Sequence, residues 1–155
     1  VIAEGLTIVT PQARRRRIAI TYAGEQTART LAACGDPTRA RQILVNLIGN
    51  ASKFTPQDGS ITVTTSVHAA DGAAFGEVRV SDSGPGIAES EREAIFEPYY
   101  RSEGTITVPG VGLGLAISHG LVRQMGGRLT VESEVGTGSE FILRLPLLGS
   151  SGTGR

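Results

Sequence analysis

The sequence has few of the residues that form disulfides, metal clusters or membrane spans. Its one cysteine, Cys34, cannot form a disulfide within the chain, and no Cys/His cluster suggests a structural zinc site. Every apolar run is shorter than the roughly 18 to 20 residues that cross a bilayer, and the first residues lack a basic-then-apolar signal pattern. These absences predict a soluble, cytoplasmic piece that makes no direct membrane contact.

The charge balance disfavours a second class of function. The chain has 15 basic and 15 acidic residues, and residues 14–17, all arginine, form its longest block of one sign. This pattern argues against a polycation that binds nucleic acid, and 39% hydrophobic residues argue against wholesale disorder. The arginine block is typical of a solvated helix end, although it could also dock another domain. Lys53 is the only lysine, so its position is of interest.

Hydrophobic periodicity and breaker residues divide the chain into helices and pairs of strands. The clearest helix has Asp36 as its N-cap and Pro37 in its first position. The other predicted elements are helices over 1–17, 88–95 and 113–125, a loop over 97–112, and strands over 16–24, 27–34, 60–67, 74–81, 128–134 and 139–147. This order predicts a two-layer α/β sandwich, in which helices cover one face of a mixed, mostly antiparallel sheet. We expect one domain over 1–148 and a tail over 149–155.

A polar stripe runs along the helix that follows Asp36. Asn46, Asn50 and Lys53 stand at positions i, i+4 and i+7, and therefore share one side of the helix. Asparagine within a helix weakens it, because its side chain competes for backbone hydrogen bonds. The stripe is either a solvated flank or a ligand site, in which an amide oxygen binds Mg²⁺ and the lysine faces phosphates.

Two further segments combine glycine with chemistry-bearing neighbours. Asp82 ends a strand and precedes Gly84 and Gly86, so it is either part of a plain turn or a carboxylate open to a flat donor such as a purine amine. The run Gly-Val-Gly-Leu-Gly-Leu at 110–115 leads into a helix and could cradle phosphate. It imitates a dinucleotide fingerprint, but Leu115 occupies the last glycine position, and the chain lacks the GK[ST] of a P-loop.

Taken in order, these segments resemble the conserved boxes of bacterial sensor histidine kinases. The matching segments are an N box at 46–56 (NLIGNASKFTP), a G1 box at 82–86 (DSGPG), an F box at 95–101 (IFEPYYR), a G2 box at 110–115 (GVGLGL) and a closing turn at 136–138 (GTG). The chain is therefore similar, over about 35–147, to the catalytic and ATP-binding domain of the GHKL superfamily. That resemblance implies an α/β sandwich of the Bergerat type, with a flexible lid over bound ATP.

The resemblance also implies a role for each box. Asp82 would receive the adenine amine, Asn50 would ligate Mg²⁺, and Asn46, Lys53 and Arg101 would act on the phosphates as the catalytic residues. Phe54 would lie against the base. The full set of expected nucleotide contacts is Asn46, Asn50, Lys53, Phe54, Asp82, Gly84, Gly86, Ile87, Tyr100, Gly110, Gly112, Leu113, Gly114, Leu115 and Thr137.

The same resemblance favours a kinase over an ATPase. Hydrolytic members of the superfamily carry a glutamate base one turn before the magnesium asparagine, where this chain has Asn46, and an amide cannot take a proton from water. The acceptor would be a histidine in a separate dimerisation domain of the same protein, because neither His68 nor His119 has the expected neighbours. A response regulator would act downstream, and the whole protein would be either free or anchored in the inner membrane.

Two rival functions remain open at this point. One is a GHKL-type regulatory module or an ATPase without kinase activity, against which the intact Asn50, Asp82 and glycine run count. The other is an NAD-dependent oxidoreductase, which Leu115 and the expected lack of a complete βαβ unit disfavour.

Overall fold

The computed structural model describes residues 1–24, 36–102, 108 and 110–147 as three helices and five strands with short connections. The helices are α1 (Ile2–Arg15), α2 (Pro37–Phe54) and α3 (Gly114–Gln124). The strands are β1 (Ala19–Ala23), β2 (Ser60–Ala70), β3 (Ala73–Asp82), β4 (Arg128–Glu134) and β5 (Gly138–Pro146). Two 3₁₀ turns, Glu89–Glu91 and Ala94–Phe96, lie between β3 and α3. Among these residues, no helix is long and apolar enough to cross a membrane.

The strands form one sheet in the order β1-β2-β3-β5-β4. β1 pairs with β2 in parallel, and the other neighbours pair antiparallel, which confirms the predicted mixed sheet. The parallel pair is connected through α2, so the expectation that the chain lacks a βαβ unit was wrong. The glycine run at 110–115 lies outside this unit and leads into α3, so the unit does not have the dinucleotide fingerprint.

Helix α2 forms the centre of the helical layer. The Asp36 side chain accepts hydrogen bonds from the backbone amides of Thr38 and Arg39, and Pro37 takes the first helical position, which confirms the predicted cap. One face of α2 is buried against α1, α3 and the sheet. The apolar residues on this face are Ala40, Ile43, Leu44, Leu47, Ile48 and Ala51. Their spacing is the helical period that the sequence showed.

The sheet meets the helices with its apolar face. Val78 and Val80 of β3 pair with Leu143 and Phe141 of β5, and all four side chains are buried in the core. The alternate residues of β3 point to the opposite face, where Glu77 is only 2% exposed. Glu77 accepts hydrogen bonds of 2.6 Å from Arg79 and from Arg144, so its buried charge is paired twice.

Several local predictions differ from the structure. β1 begins at Ala19 instead of residue 16, because Arg16 and Arg17 form a turn in which Arg17 adopts a positive φ of 54°. The predicted helix over 88–95 was wrong, and the two 3₁₀ turns stand in its place. The Arg92 side chain between the two turns donates a hydrogen bond to the Ser133 carbonyl, so a contact with β4 holds this segment. The strand predicted over 27–34 lies outside the described residues.

The paired charge of Glu77 gives a test of the sheet. Burial raises the pKa of this carboxyl, but the bonds from Arg144 and Arg79 outweigh that effect and hold the pKa below its usual value. Glu77→Gln should therefore lower the unfolding free energy at pH 7 by about 1 to 3 kcal/mol. Because the folded pKa is depressed, the difference from the parent should vanish as the pH falls through that value. Urea unfolding over a series of pH values below 7 measures it, and a difference that does not shrink as the pH falls below the usual pKa of a glutamate would contradict the charge pairing.

Candidate functional site

A cavity of about 390 Å³ lies between the second half of α2, the loop after β3 and the start of α3. Most of the predicted site residues line it. These are Asn46, Asn50, Lys53, Phe54, Asp82, Gly86, Ile87, Tyr100, Arg101, Gly110, Gly112, Leu113, Gly114 and Leu115. Its size is within the usual range for a small-molecule site. The fold thus brings segments from residue 46 to residue 115 to one place.

Asp82 provides the carboxylate of the cavity. It is the last residue of β3, and its Oδ1 accepts a 2.8 Å hydrogen bond from the Gly84 amide. A Cβ on Gly84 would lie 2.6 Å from that oxygen, so only glycine fits there. Burial raises the pKa of the Asp82 carboxyl, and the backbone amides of Gly84 and Ser139 offset part of this rise. The group is a strong acceptor in a partly dehydrated place.

The polar stripe on α2 lines the opposite wall. The Asn46 Nδ2 donates hydrogen bonds to the Gly114 carbonyl at 3.3 Å and to the Ser118 Oγ at 3.1 Å. These bonds connect α2 to the first turn of α3, while Asn50 and Lys53 lie further along the same wall. The stripe therefore forms part of the cavity wall, and it lies beside the N-terminus of α3, where backbone amides favour an anion.

The glycine run enters α3 through a tight contact with the preceding segment. Gly112 has a φ of 76°, and its carbonyl accepts a 2.9 Å hydrogen bond from the Tyr99 amide. A Cβ on Gly112 would lie 2.8 Å from the Tyr100 carbonyl. The Tyr100 hydroxyl donates to Glu91, and Arg101 donates to the Val108 carbonyl. Hydrogen bonds therefore hold both ends of the 97–112 segment. Residues 103–107 and 109 lie outside the described part of the chain.

Two predicted site residues do not line the cavity. Gly84 lies behind Asp82, and its backbone amide donates a hydrogen bond to the Asp82 carboxylate. Thr137 lies in the turn between β4 and β5, so its contact with nucleotide stays a prediction. Seven lining residues had not been predicted: Ala51, Pro85, Ile95, Ser102, Val111, Ser139 and Phe141. Ile95 and Phe141 are also buried core residues, and their apolar character gave no separate signal of a site wall.

A network around Ser133 supports the loop after β3 and was also missed. The Ser133 hydroxyl accepts a 2.7 Å hydrogen bond from the Ile87 amide and donates to the Gly138 carbonyl at 2.8 Å. The Gly136 amide donates to the Pro85 carbonyl at 2.8 Å. These bonds place the closing turn against residues 83–87, the loop after β3 that is called the G1 loop below. A serine near the end of a strand carries no sequence signal for such a role.

The cavity can hold a ligand with a flat amine at one end and anionic groups at the other. Among the described residues that line it, Asp82 supplies the one carboxylate, and it lies at the amine end. Within the described ranges, no three His, Cys, Asp or Glu side chains form a metal-binding group. The amide of Asn50 is a suitable hard ligand for Mg²⁺, but the remaining ligands would have to come from the anion and from water.

A pair of glycines with matched backbone angles tests the packing of the G1 loop. Gly86 has a φ of 76°, and a Cβ there would run into the Glu134 carbonyl, whereas Gly72 has a φ of 77° and open space. Gly72→Ala should cost about 1 kcal/mol of unfolding free energy through its backbone angle alone. Gly86→Ala should cost about 1 to 3 kcal/mol more through overpacking. Equal losses in denaturant unfolding would show that the G1 loop is not packed as described.

Known proteins contain segments that are similar to this sequence. Residues 35–149 match the family described as histidine kinase-, DNA gyrase B-, and HSP90-like ATPase. The sensor histidine kinase ZraS of Escherichia coli is 39% identical over 146 residues, which cover 94% of this chain and 29% of ZraS. The aerobic respiration control sensor protein ArcB of Escherichia coli is 47% identical over 113 residues, which cover 71% of this chain and 14% of ArcB. The chain thus spans less than a third of either relative.

Solved structures share the fold. The nucleotide-free catalytic domain of the histidine kinase ThkA has a TM-score of 0.75 and 28% identity, over 94% of this chain and 90% of that domain. Full-length ShkA, solved in complex with AMPPNP, has a TM-score of 0.75 and 34% identity, over 94% of this chain and 29% of that protein. The chain therefore belongs to the histidine kinase-, DNA gyrase B-, and HSP90-like ATPase family, as a catalytic and ATP-binding domain of the sensor histidine kinase type.

Proposed function

We propose that the chain binds Mg-ATP and transfers the γ-phosphoryl group to a histidine on a separate dimerisation domain of the same protein. A response regulator would then receive the phosphoryl group. The observation that supports this best is one cavity that joins the buried carboxylate of Asp82 to the polar stripe of α2 and the glycine run. We also propose residues 1–148 as the domain, since α1 packs on α2.

The adenine would lie at the Asp82 end. A carboxylate accepts the exocyclic amine of adenine, while Gly84 and Gly86 keep side chains away from the ring. Ile87, Ile95 and Phe141 give this end apolar walls, and Phe54 would lie against the base. Guanine should bind poorly, because its carbonyl would face the carboxylate.

Asp82→Asn should weaken ATP binding by roughly 10- to 100-fold, since a hydrogen bond to a charged group contributes about 1.5 to 3 kcal/mol. In the parent, ATP affinity should fall in acid, once the pH drops through the raised pKa of Asp82. Titration calorimetry with ATP and GTP measures both effects. The parent protein should prefer ATP, and equal affinities for the two nucleotides would refute this position for the base.

The phosphates would extend toward α2 and α3. Lys53 offers the one lysine ammonium of the sequence, and the N-terminus of α3 offers backbone amides. Asn50 would bind Mg²⁺ together with phosphate oxygens, and Arg101, which lines the cavity, would act on the γ-phosphate. When bound, Mg²⁺ supplies charge neutralisation to the phosphoryl group. The side chain of Asn46 cannot serve as a base for water, which favours transfer over hydrolysis.

The acceptor histidine would come from outside this chain. His68 lies on the outer face of the sheet, where its Nε2 is 2.8 Å from the Ser66 Oγ. His119 stacks on Phe96 with ring centroids 5.0 Å apart, and neither histidine lines the cavity. Transfer would form an N–P bond on the acceptor imidazole and break the bond between the γ-phosphorus and the β,γ-bridging oxygen, which leaves with ADP.

Phosphoryl transfer can be tested by mixing the chain with its dimerisation domain and radiolabelled ATP. The added domain should become labelled, and the isolated chain should not.

Asn50→Ala should abolish most of the transfer and the Mg²⁺-dependent part of ATP affinity. Its melting temperature without ligand should not fall, because alanine is the better helix former. Stable labelling of His68 or His119 would refute the separate acceptor, and release of phosphate without transfer would support the ATPase alternative.

A further inference from the structure

Arg16 joins the end of α1 to the end of α2. Its guanidinium donates hydrogen bonds from Nη1 to the Ser52 carbonyl at 2.5 Å and to the Lys53 carbonyl at 3.3 Å. Nη2 donates to the Thr55 carbonyl at 2.6 Å. One side chain therefore contacts three carbonyl acceptors, those of residues 52, 53 and 55, at the C-terminus of the helix that carries the polar stripe.

Carbonyls at a helix end have no donors within the helix itself. The last four carbonyls of an α-helix lack intrahelical donors, and the helix dipole places partial negative charge there. A guanidinium suits this position because it is always charged and its planar fork reaches several acceptors at once. Arg16 thus caps α2 from another element, which fixes the direction of the last helical turn.

The last turn of α2 carries Lys53, which lines the cavity. We propose that Arg16 is a positioning residue for phosphate binding, because it holds the backbone from which the Lys53 side chain extends. This inference rests on the proposed function, in which the Lys53 ammonium faces the phosphates. It also gives one member of the arginine block at 14–17 a specific role.

The neighbouring Arg17 provides a matched control. Its guanidinium donates to Asp58 at 2.6 and 3.0 Å, and both side chains are exposed. This pair holds the loop after α2, but it contacts none of the carbonyls that Arg16 caps. Removing Arg17 therefore takes away the same charge next to the same helix end, without removing the cap.

The test compares the affinities for ATP and for adenosine, with Mg²⁺, in the full chain by calorimetry. Arg16→Ala should weaken ATP binding by about 5-fold and adenosine binding by less than about 2-fold, since only the phosphate end is affected. Arg17→Ala should leave both affinities within about 2-fold of the parent values. Equal losses for ATP and adenosine would mean that Arg16 only stabilises the fold, and would overturn the proposal.

A double-mutant cycle with Lys53→Ala separates this inference from the proposed function. Lys53→Ala alone should weaken ATP but not adenosine, and in that background Arg16→Ala should have little further effect on ATP. If Lys53→Ala changes nothing, the phosphate role of Lys53 fails. If both single variants weaken ATP and their effects add fully, Arg16 does not act through Lys53. If Arg16→Ala does not fold, Arg16→Lys replaces it in the same double-mutant cycle. Lysine keeps the positive charge but lacks the planar guanidinium.

Discussion

The packing of α2 is the constraint on which the rest of the structure depends. This helix must bury one face between α1, α3 and the sheet, and it must present Asn46, Asn50 and Lys53 to the cavity. Both demands can be met because positions four and seven residues apart share one side of a helix, next to the apolar side. Any rotation of α2 that would bring the stripe deeper into the protein would also expose Leu47 and Ile48. The core therefore fixes the direction of the site wall, because the close packing of these side chains resists rotation of the helix.

The opposite wall is built by close backbone approach. Asp82 ends a central strand, so its backbone is held between Ile61 of β2 and Ser139 of β5. The chain then turns within a few residues, through Gly84 and Gly86, where added Cβ atoms would collide with Asp82 and Glu134. A carboxylate this well fixed loses little conformational entropy when a ligand binds. Burial raises its pKa and so favours the protonated form, but the backbone amides limit the rise and favour the ionised carboxylate, which is the acceptor.

The sequence predicted what depends on local periodicity and on motifs, and it missed what depends on tertiary contacts. The cap at Asp36, the mixed sheet and most of the cavity residues followed from spacing and from the family boxes. Arg16 could not be distinguished from its arginine neighbours, because only the folded chain brings it to the end of α2. Likewise, Ser133 is one polar residue in a strand until the G1 loop folds onto it. The 88–95 segment was misjudged because its helix propensity is local, whereas the contact of Arg92 with the Ser133 carbonyl exists only in the folded chain.

The two ends of the cavity are held by different kinds of interaction. The Asp82 end is fixed mainly by ladder hydrogen bonds on both sides of β3 and by the backbone bond from Gly136 to Pro85, to which the Ser133 hydroxyl adds side-chain bonds. The phosphate end is held largely by single side chains, namely Asn46 from α2 to α3 and Arg16 from α1 to α2. Side-chain bonds can be rearranged at a smaller cost than a strand ladder, since the backbone need not open. The cavity therefore combines an end that a strand ladder holds with an end where side-chain bonds can rearrange, and under the proposed function the second end is the one from which the phosphoryl group would leave.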